Sequence, residues 1–207
     1  MKEDPTRMEQ YLTVTRMTVR QVEPETLGDV DPRDLGSDVN EANVILDQII
    51  NMGQKVWKIV EDNKPVVNVS WTPADALPTG VQGWTSLESW QPPRQVAYQV
   101  SYENGFGMDV VDFTYRLIYT PGGSFQGKGK YLTRIAALAK DLDVSWGYTF
   151  NATGTVPSVV NAGTSSSPLA AAEVLVDWSI DTALKHSQSS RSYYVRGDGL
   201  FLPLDSD

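Results

Sequence analysis

Cysteine is absent from the 207 residues. Disulfides, thiolate metal sites and cysteine nucleophiles are therefore excluded. Histidine occurs once, as His186, which removes the usual multi-histidine zinc and iron centres. Basic residues are the minority, 17 against 26 acidic, for a formal net charge of −9. A nucleic-acid partner needs a basic stripe to meet its phosphates and is not expected. Electrostatic docking on anionic lipid is not expected either. No stretch reaches the roughly 18 apolar residues of a membrane span, and the opening Met-Lys-Glu-Asp-Pro-Thr-Arg lacks the apolar core of a signal peptide. A chain without cysteine but rich in Trp, Tyr, Asn, Gly and Thr suits a periplasmic or secreted protein of the bacterial envelope, its signal peptide preceding this sequence. A cytoplasmic location is the alternative.

What the chain has is period-two hydrophobicity. Between Val110 and Phe150, Val111, Phe113, Tyr115, Leu117 and Tyr119 alternate with Asp112, Thr114 and Arg116. Lys130–Ala136 follows, and then Leu142, Val144, Trp146, Tyr148 and Phe150 alternate with Asp143, Ser145, Gly147 and Thr149. Alternation buries one face of a strand. Three such strands joined by Gly-rich turns predict an antiparallel meander. Further strands are expected at 11–22, 56–62, 66–71, 96–102 and 155–161, with a final hairpin from Val174 to Arg196 whose tip lies near Ser187–Ser190. The apolar tail Leu200–Leu204 should dock on the body.

One helix is expected at residues 39–52. Asp38 and Glu41 have the spacing of a capping box, Ala42, Ile45, Leu46, Ile49 and Ile50 recur at helical spacing, and Gly53 can close it. The fold class is thus all-β, an antiparallel two-sheet β-sandwich of about nine or ten strands with one amphipathic helix. Residues 1–9 read as a flexible N-terminal tail and residues 10–207 as a single domain.

Motifs that could carry chemistry are weak. His186 has Ser187, Ser189, Ser190 and Asp181 nearby in sequence, but a hairpin tip offers no rigid frame for a triad. Gly122–Lys128 has P-loop spacing, yet it joins two strands, where the motif needs a helix to follow. Asp177 and Asp181 are about 13 Å apart along one strand, too far for a glycosidase pair; their default partners are Arg191 or Arg196. Arg196-Gly197-Asp198 is an integrin-type tripeptide read as a turn. Asp29, Asp31 and Asp34 form an acidic loop and a weak candidate for Ca²⁺; no other cofactor is expected.

The functional lead is aromatic. Trp71, Trp84 and Trp90 bracket an irregular, Pro-rich stretch from Thr72 to Arg94, with Tyr102 and Phe106 in the next turn region. Long irregular connections are often functional, and Trp and Tyr offer flat faces with a polar tip. The expected function is a non-catalytic binding or interaction module with a loop-end aromatic surface for a glycan or protein partner. A self-associating assembly protein and a membrane-lesioning sandwich are the alternatives.

Overall fold

The computed structural model describes residues 5–23, 43–66 and 73–205. The chain opens with helix α1 (Pro5–Leu12), then β1 (Val14–Val22), β2 (Ile45–Ile50), β3 (Val56–Glu61), β4 (Lys64–Pro65) and β5 (Ala74–Thr79). A 3₁₀ turn at Trp84–Ser86 precedes β6 (Arg94–Asn104), β7 (Asp109–Phe125), β8 (Lys128–Val144), β9 (Thr149–Thr155), β10 (Val159–Asn161), β11 (Ala170–Asp181), β12 (His186–Arg196) and β13 (Phe201–Pro203). One sheet has the order β1-β6-β7-β8-β5-β2 and the other β13-β12-β11-β9-β3-β4, with β10 also on β11. All strand pairs in both are antiparallel. The architecture is the all-β sandwich that the alternation implies.

Period two builds the core directly. Val111, Phe113, Tyr115, Leu117 and Tyr119 of β7 are all buried, as are Val174, Val176, Trp178 and Ile180 of β11. They meet across the sheets. Phe113 packs on Phe150 with ring centroids 4.9 Å apart, and Tyr98 on Tyr193 at the same separation. Each such side chain contributes about 1.5–3 kcal/mol by leaving water. Inside this layer the Tyr115 and Tyr193 hydroxyls bond each other at 2.5 Å. Burial holds both phenols above the ordinary tyrosine range, so they stay neutral. Removing one hydroxyl orphans the other, whereas removing both orphans neither. Tyr115→Phe and Tyr193→Phe should each cost about 1–2 kcal/mol and the double variant well under their sum. A urea-unfolding double-mutant cycle checks this; strict additivity would mean the two hydroxyls are not each other's partners.

The turns follow their residues. β7 and β8 form one long hairpin whose tip is Gln126–Gly127, both at positive φ (49° and 72°), as a two-residue primed turn requires. The Gly-Gly at 122–123, inside the expected loop, lies within β7. The last hairpin turns at Thr182–Lys185, between β11 and β12, so Ser187–Ser190 belong to a strand. The tail docks as expected, β13 pairing with β12.

Other expectations also need correction, among them the strand at 155–161, which is the end of β9 and the separate β10. The helix at 39–52 is not there: residues 39–42 lie outside the described residues, and Ile45–Ile50 is strand β2. Its apolar residues mimic helical spacing because the pairing with β5 shifts register between Ile45 and Ile49, and a bulge breaks period two. The helix that exists is α1, in the stretch expected to be a flexible tail. Pro5 suits a first helical position; Met8, Tyr11 and Leu12 then share a face packed on the core, and the Thr13 hydroxyl donates to the Glu9 carbonyl at 2.7 Å. The stretch from Thr72 to Arg94 is not irregular throughout, since β5 occupies Ala74–Thr79 between β8 and β2. Finally, the run Leu142–Phe150 is not one strand. It is the end of β8, a turn at Ser145–Tyr148 and the start of β9, with Gly147 at φ +87°. The strand expected at 66–71 lies, beyond Val66, outside the described residues.

Candidate functional site

Of the expected aromatic residues, the structure brings Trp84 and Trp90 together and places Tyr102 and Phe106 elsewhere. Trp84 and Trp90 are half-buried and packed against the core. Trp90 Nε1 donates to the Trp84 carbonyl at 3.2 Å, and its ring lies so close to Gly123 that a Cβ there would sit 2.3 Å from it. Glu88 bridges to Ser124 through both backbone amides, at 2.9 and 2.8 Å. These tryptophans fasten their loop to the tip half of the β7–β8 hairpin. Tyr102 is a core residue, 2% exposed; its hydroxyl accepts from Trp178 Nε1 at 2.8 Å and donates to Ser189 Oγ at 3.4 Å. Phe106 is exposed, but it sits in the β6–β7 turn, next to Asp109. Asp109 and Ser124 lie near opposite ends of the 17-residue β7, about 50 Å of strand apart. Trp71, and Asp29, Asp31 and Asp34 of the calcium candidate, lie outside the described residues.

Phe106 has other neighbours. Its turn (Gly105–Met108), the β8–β9 turn and the β11–β12 turn all lie at one end of the sandwich. The Ser145 amide donates to the Val110 carbonyl at 2.8 Å, which sets the first two side by side, and Asp181 pairs with Thr149, which brings in the third. The tips are apolar: Phe106, Met108 and Leu184 are 44%, 53% and 59% exposed, and Trp146 is 76% exposed. No other large apolar side chain among the described residues is as open as Trp146.

The tips stand on a rigid base. Asn104 Oδ1 accepts from the Phe106 and Met108 amides at 3.0 and 3.1 Å, shaping the β6–β7 turn. Helix α1 ties two turns together. The Gly105 amide donates to the Gln10 carbonyl, and Gln10 Nε2 to the Gly105 carbonyl, both at 3.1 Å. The Tyr11 hydroxyl donates to the Trp146 carbonyl at 3.0 Å, while the Tyr148 hydroxyl donates to the Tyr11 carbonyl. Leu12 fills the space over Gly147, within 3.0 Å of where a Cβ would be. Around the tips, Asp109 and Asp143 are exposed and Asp181 half-exposed, against Lys185.

The remaining motifs resolve into local pairs. His186 Nδ1 and Asp181 Oδ1 are 2.5 Å apart at the mouth of the last hairpin, both side chains exposed. Arg196 clamps Asp198, Nε to Oδ1 at 2.9 Å and Nη2 to Oδ2 at 2.7 Å; this holds the Asp198 carboxyl below its usual range and turns the tripeptide inward on itself. Asp177 pairs in register with Ser190 and Thr153, and partial burial raises its carboxyl. Among the described residues no three His, Asp or Glu side chains gather in a metal-binding group, and no helix is long and apolar enough to cross a membrane. Sequence reasoning missed Trp146 because its period-two neighbours place it in a strand; the signal was Gly147 beside it, in Ser-Trp-Gly. Comparisons with protein-family models, with curated proteins and with solved structures returned no match, so the site stands on its own geometry.

Proposed function

We propose that this chain is a non-catalytic binding module that engages a protein partner through the hairpin-tip end of the sandwich, with Trp146 as the anchor. The observation that carries the reading is the 76% exposure of Trp146 on a turn held by α1. A large aromatic side chain left in water is costly unless something covers it, and interface anchors are drawn from Trp and Tyr. Phe106, Met108 and Leu184 bear no hydrogen-bonding side-chain group, which favours an apolar protein surface over a glycan. The aspartates around the tips disfavour anionic lipid.

A photo-cross-linking residue at position 146 tests this. It should capture a protein adduct, and the captured partner, once purified, should bind Trp146→Ser at least about 30-fold more weakly, the scale of an interface hot spot. Both proteins should melt together, because an exposed substitution changes stability by only about 0.5 kcal/mol. Adducts with lipid alone, or equal affinity of the two proteins, would overturn the reading.

A further inference from the structure

β1 closes one side of its sheet and has no strand beyond it among the described residues. It pairs with β6 in unbroken register from Arg16 opposite Glu103 to Val22 opposite Ala97. It is nine residues long, and its outer row of amides and carbonyls meets no strand among the described residues. Such an edge is a template for another strand unless something blunts it. β1 contains no proline, and its one register shift lies at the start, between Val14 and Arg16.

The strand also overhangs the opposite sheet. Met17, Val19 and Gln21 stand opposite Tyr102, Val100 and Tyr98, whose side chains point into the core, yet Met17 is 41% exposed. Below this edge lies a cleft of about 140 Å³ between the sheets, lined by Val19, Arg20, Tyr98, Arg191, Tyr193 and Asp205 among others. An added strand would set its inward side chains over Met17 and Val19 and into that cleft. Its outward side chains would face Arg16, Thr18 and Arg20. β1 has no acidic residue. Arg16 is 3.6 Å from Glu103, whereas among the described residues Arg20 bonds the neutral amide oxygen of Gln99, at 2.8 and 2.5 Å.

We propose that the free edge of β1 docks an extended segment of a partner polypeptide that alternates acidic and apolar residues and adds a strand to the six-stranded sheet. Backbone bonds would supply the affinity, and the pleat would sort acidic residues onto the arginines and apolar ones over Met17 and Val19. A second copy of this chain fits less well. Two β1 strands paired over all nine residues about a two-fold axis put Arg16 opposite Arg20 twice, and like charges directly opposite destabilise. This edge is separate from the hairpin tips, and its test does not involve Trp146.

The probe is an end-blocked, fluorescein-labelled octapeptide alternating glutamate and valine. In fluorescence anisotropy it should bind saturably, at least about tenfold tighter than a lysine-valine peptide. The doubly reversed variant Arg16→Glu/Arg20→Glu, with its melting temperature unchanged, should invert that preference. A peptide of the same composition with its glutamates and valines in two blocks should bind no better than the lysine peptide. Equal binding of block and alternating peptides would reduce the effect to bulk charge and overturn the proposal. So would the absence of binding, or a sedimentation result showing a dimer of this chain with the amides of β1 protected from exchange.

Discussion

Trp57→Ala should destabilise the fold by about 3–5 kcal/mol, read as a fall in the urea midpoint at unchanged slope. Trp57 is 3% exposed on β3, and its indole Nε1 donates to the Ala137 carbonyl on β8 at 2.8 Å, inside the core. It therefore joins the two sheets by packing and by a hydrogen bond at once. The alanine variant loses the packing, opens a cavity and leaves the Ala137 carbonyl without that donor. Trp57→Phe keeps most of the packing and should lose about 1–3 kcal/mol, the cost of the unmade bond with the smaller ring. Gly154 lies against the same indole. It pairs with Trp57 across β3 and β9, and a Cβ there would lie 2.5 Å from the indole. Gly154→Ala should cost about 1–3 kcal/mol by overpacking in the native protein and markedly less beside Trp57→Ala, where the methyl enters vacated space. An additive pair would show that the indole does not rest on this glycine.

Asp75 should respond in opposite directions to two substitutions. It is a buried carboxylate, 6% exposed, on β5. Its Oδ1 accepts from Thr133 Oγ1 at 2.6 Å and from the Arg134 amide at 3.2 Å. Arg134 holds φ +57° at an irregularity of β8, so the carboxylate satisfies backbone that the sheet cannot. Desolvation raises its pKa, and the hydrogen bonds from Thr133 and Arg134 oppose that without cancelling it. The sign follows. An acid whose folded pKa lies above its unfolded value binds more protons when folded, so stability falls as pH rises from the unfolded value of about 3.8 through the folded one, and stays lower above it. Asp75→Asn keeps the acceptor and removes the charge. It should equal or exceed the native protein in stability at pH 7, with the advantage shrinking as pH drops through that window. Asp75→Ala removes the acceptor and should lose about 2–3 kcal/mol at pH 7, a deficit that grows as pH drops through the same window because only the native protein gains stability there. Thermal melts at several pH values measure both. An asparagine variant as weak as the alanine one at pH 7 would mean that the charge itself is stabilised.

How far the sequence could be read depended on whether one surface alone decided the pattern. β6 and β11 bury one face more fully than the other, and the middle of β7 alternates apolar with polar residues, so their sequences announce them. β2 packs only Leu46 and Ile49 on the core, three residues apart, because its pairing with β5 shifts register between Ile45 and Ile49, while Ile45 and Ile50 are exposed. The capping-box pattern at Asp38 and Glu41 lies outside the described residues; past it, strand pairing supplied from elsewhere in the chain outweighs local propensity over Ile45–Ile50. The separation of the described aromatic residues has a related cause. Grouping Trp84, Trp90, Tyr102 and Phe106 by sequence proximity ignored the length of β7, which sends the first two to one end of the sandwich and Phe106 to the other. Trp146 was hidden by an alternation that runs unbroken through a turn. Only the direction of the chain at Gly147 distinguishes a core tryptophan from an exposed one, and hydrophobicity does not encode direction.

The pairing of β1 with β6 also sets a schedule. Val19 meets Val100, so β1 leaves the ribosome some 80 residues before its partner. At roughly 5–20 residues per second that interval is about 4–16 s. Throughout it, a strand rich in valine and threonine waits with both edges bare, in the company of other nascent chains. Its two arginines are the only charges it carries. Placed opposite one another in a pairing of two copies, they would act in this period as gatekeepers against it.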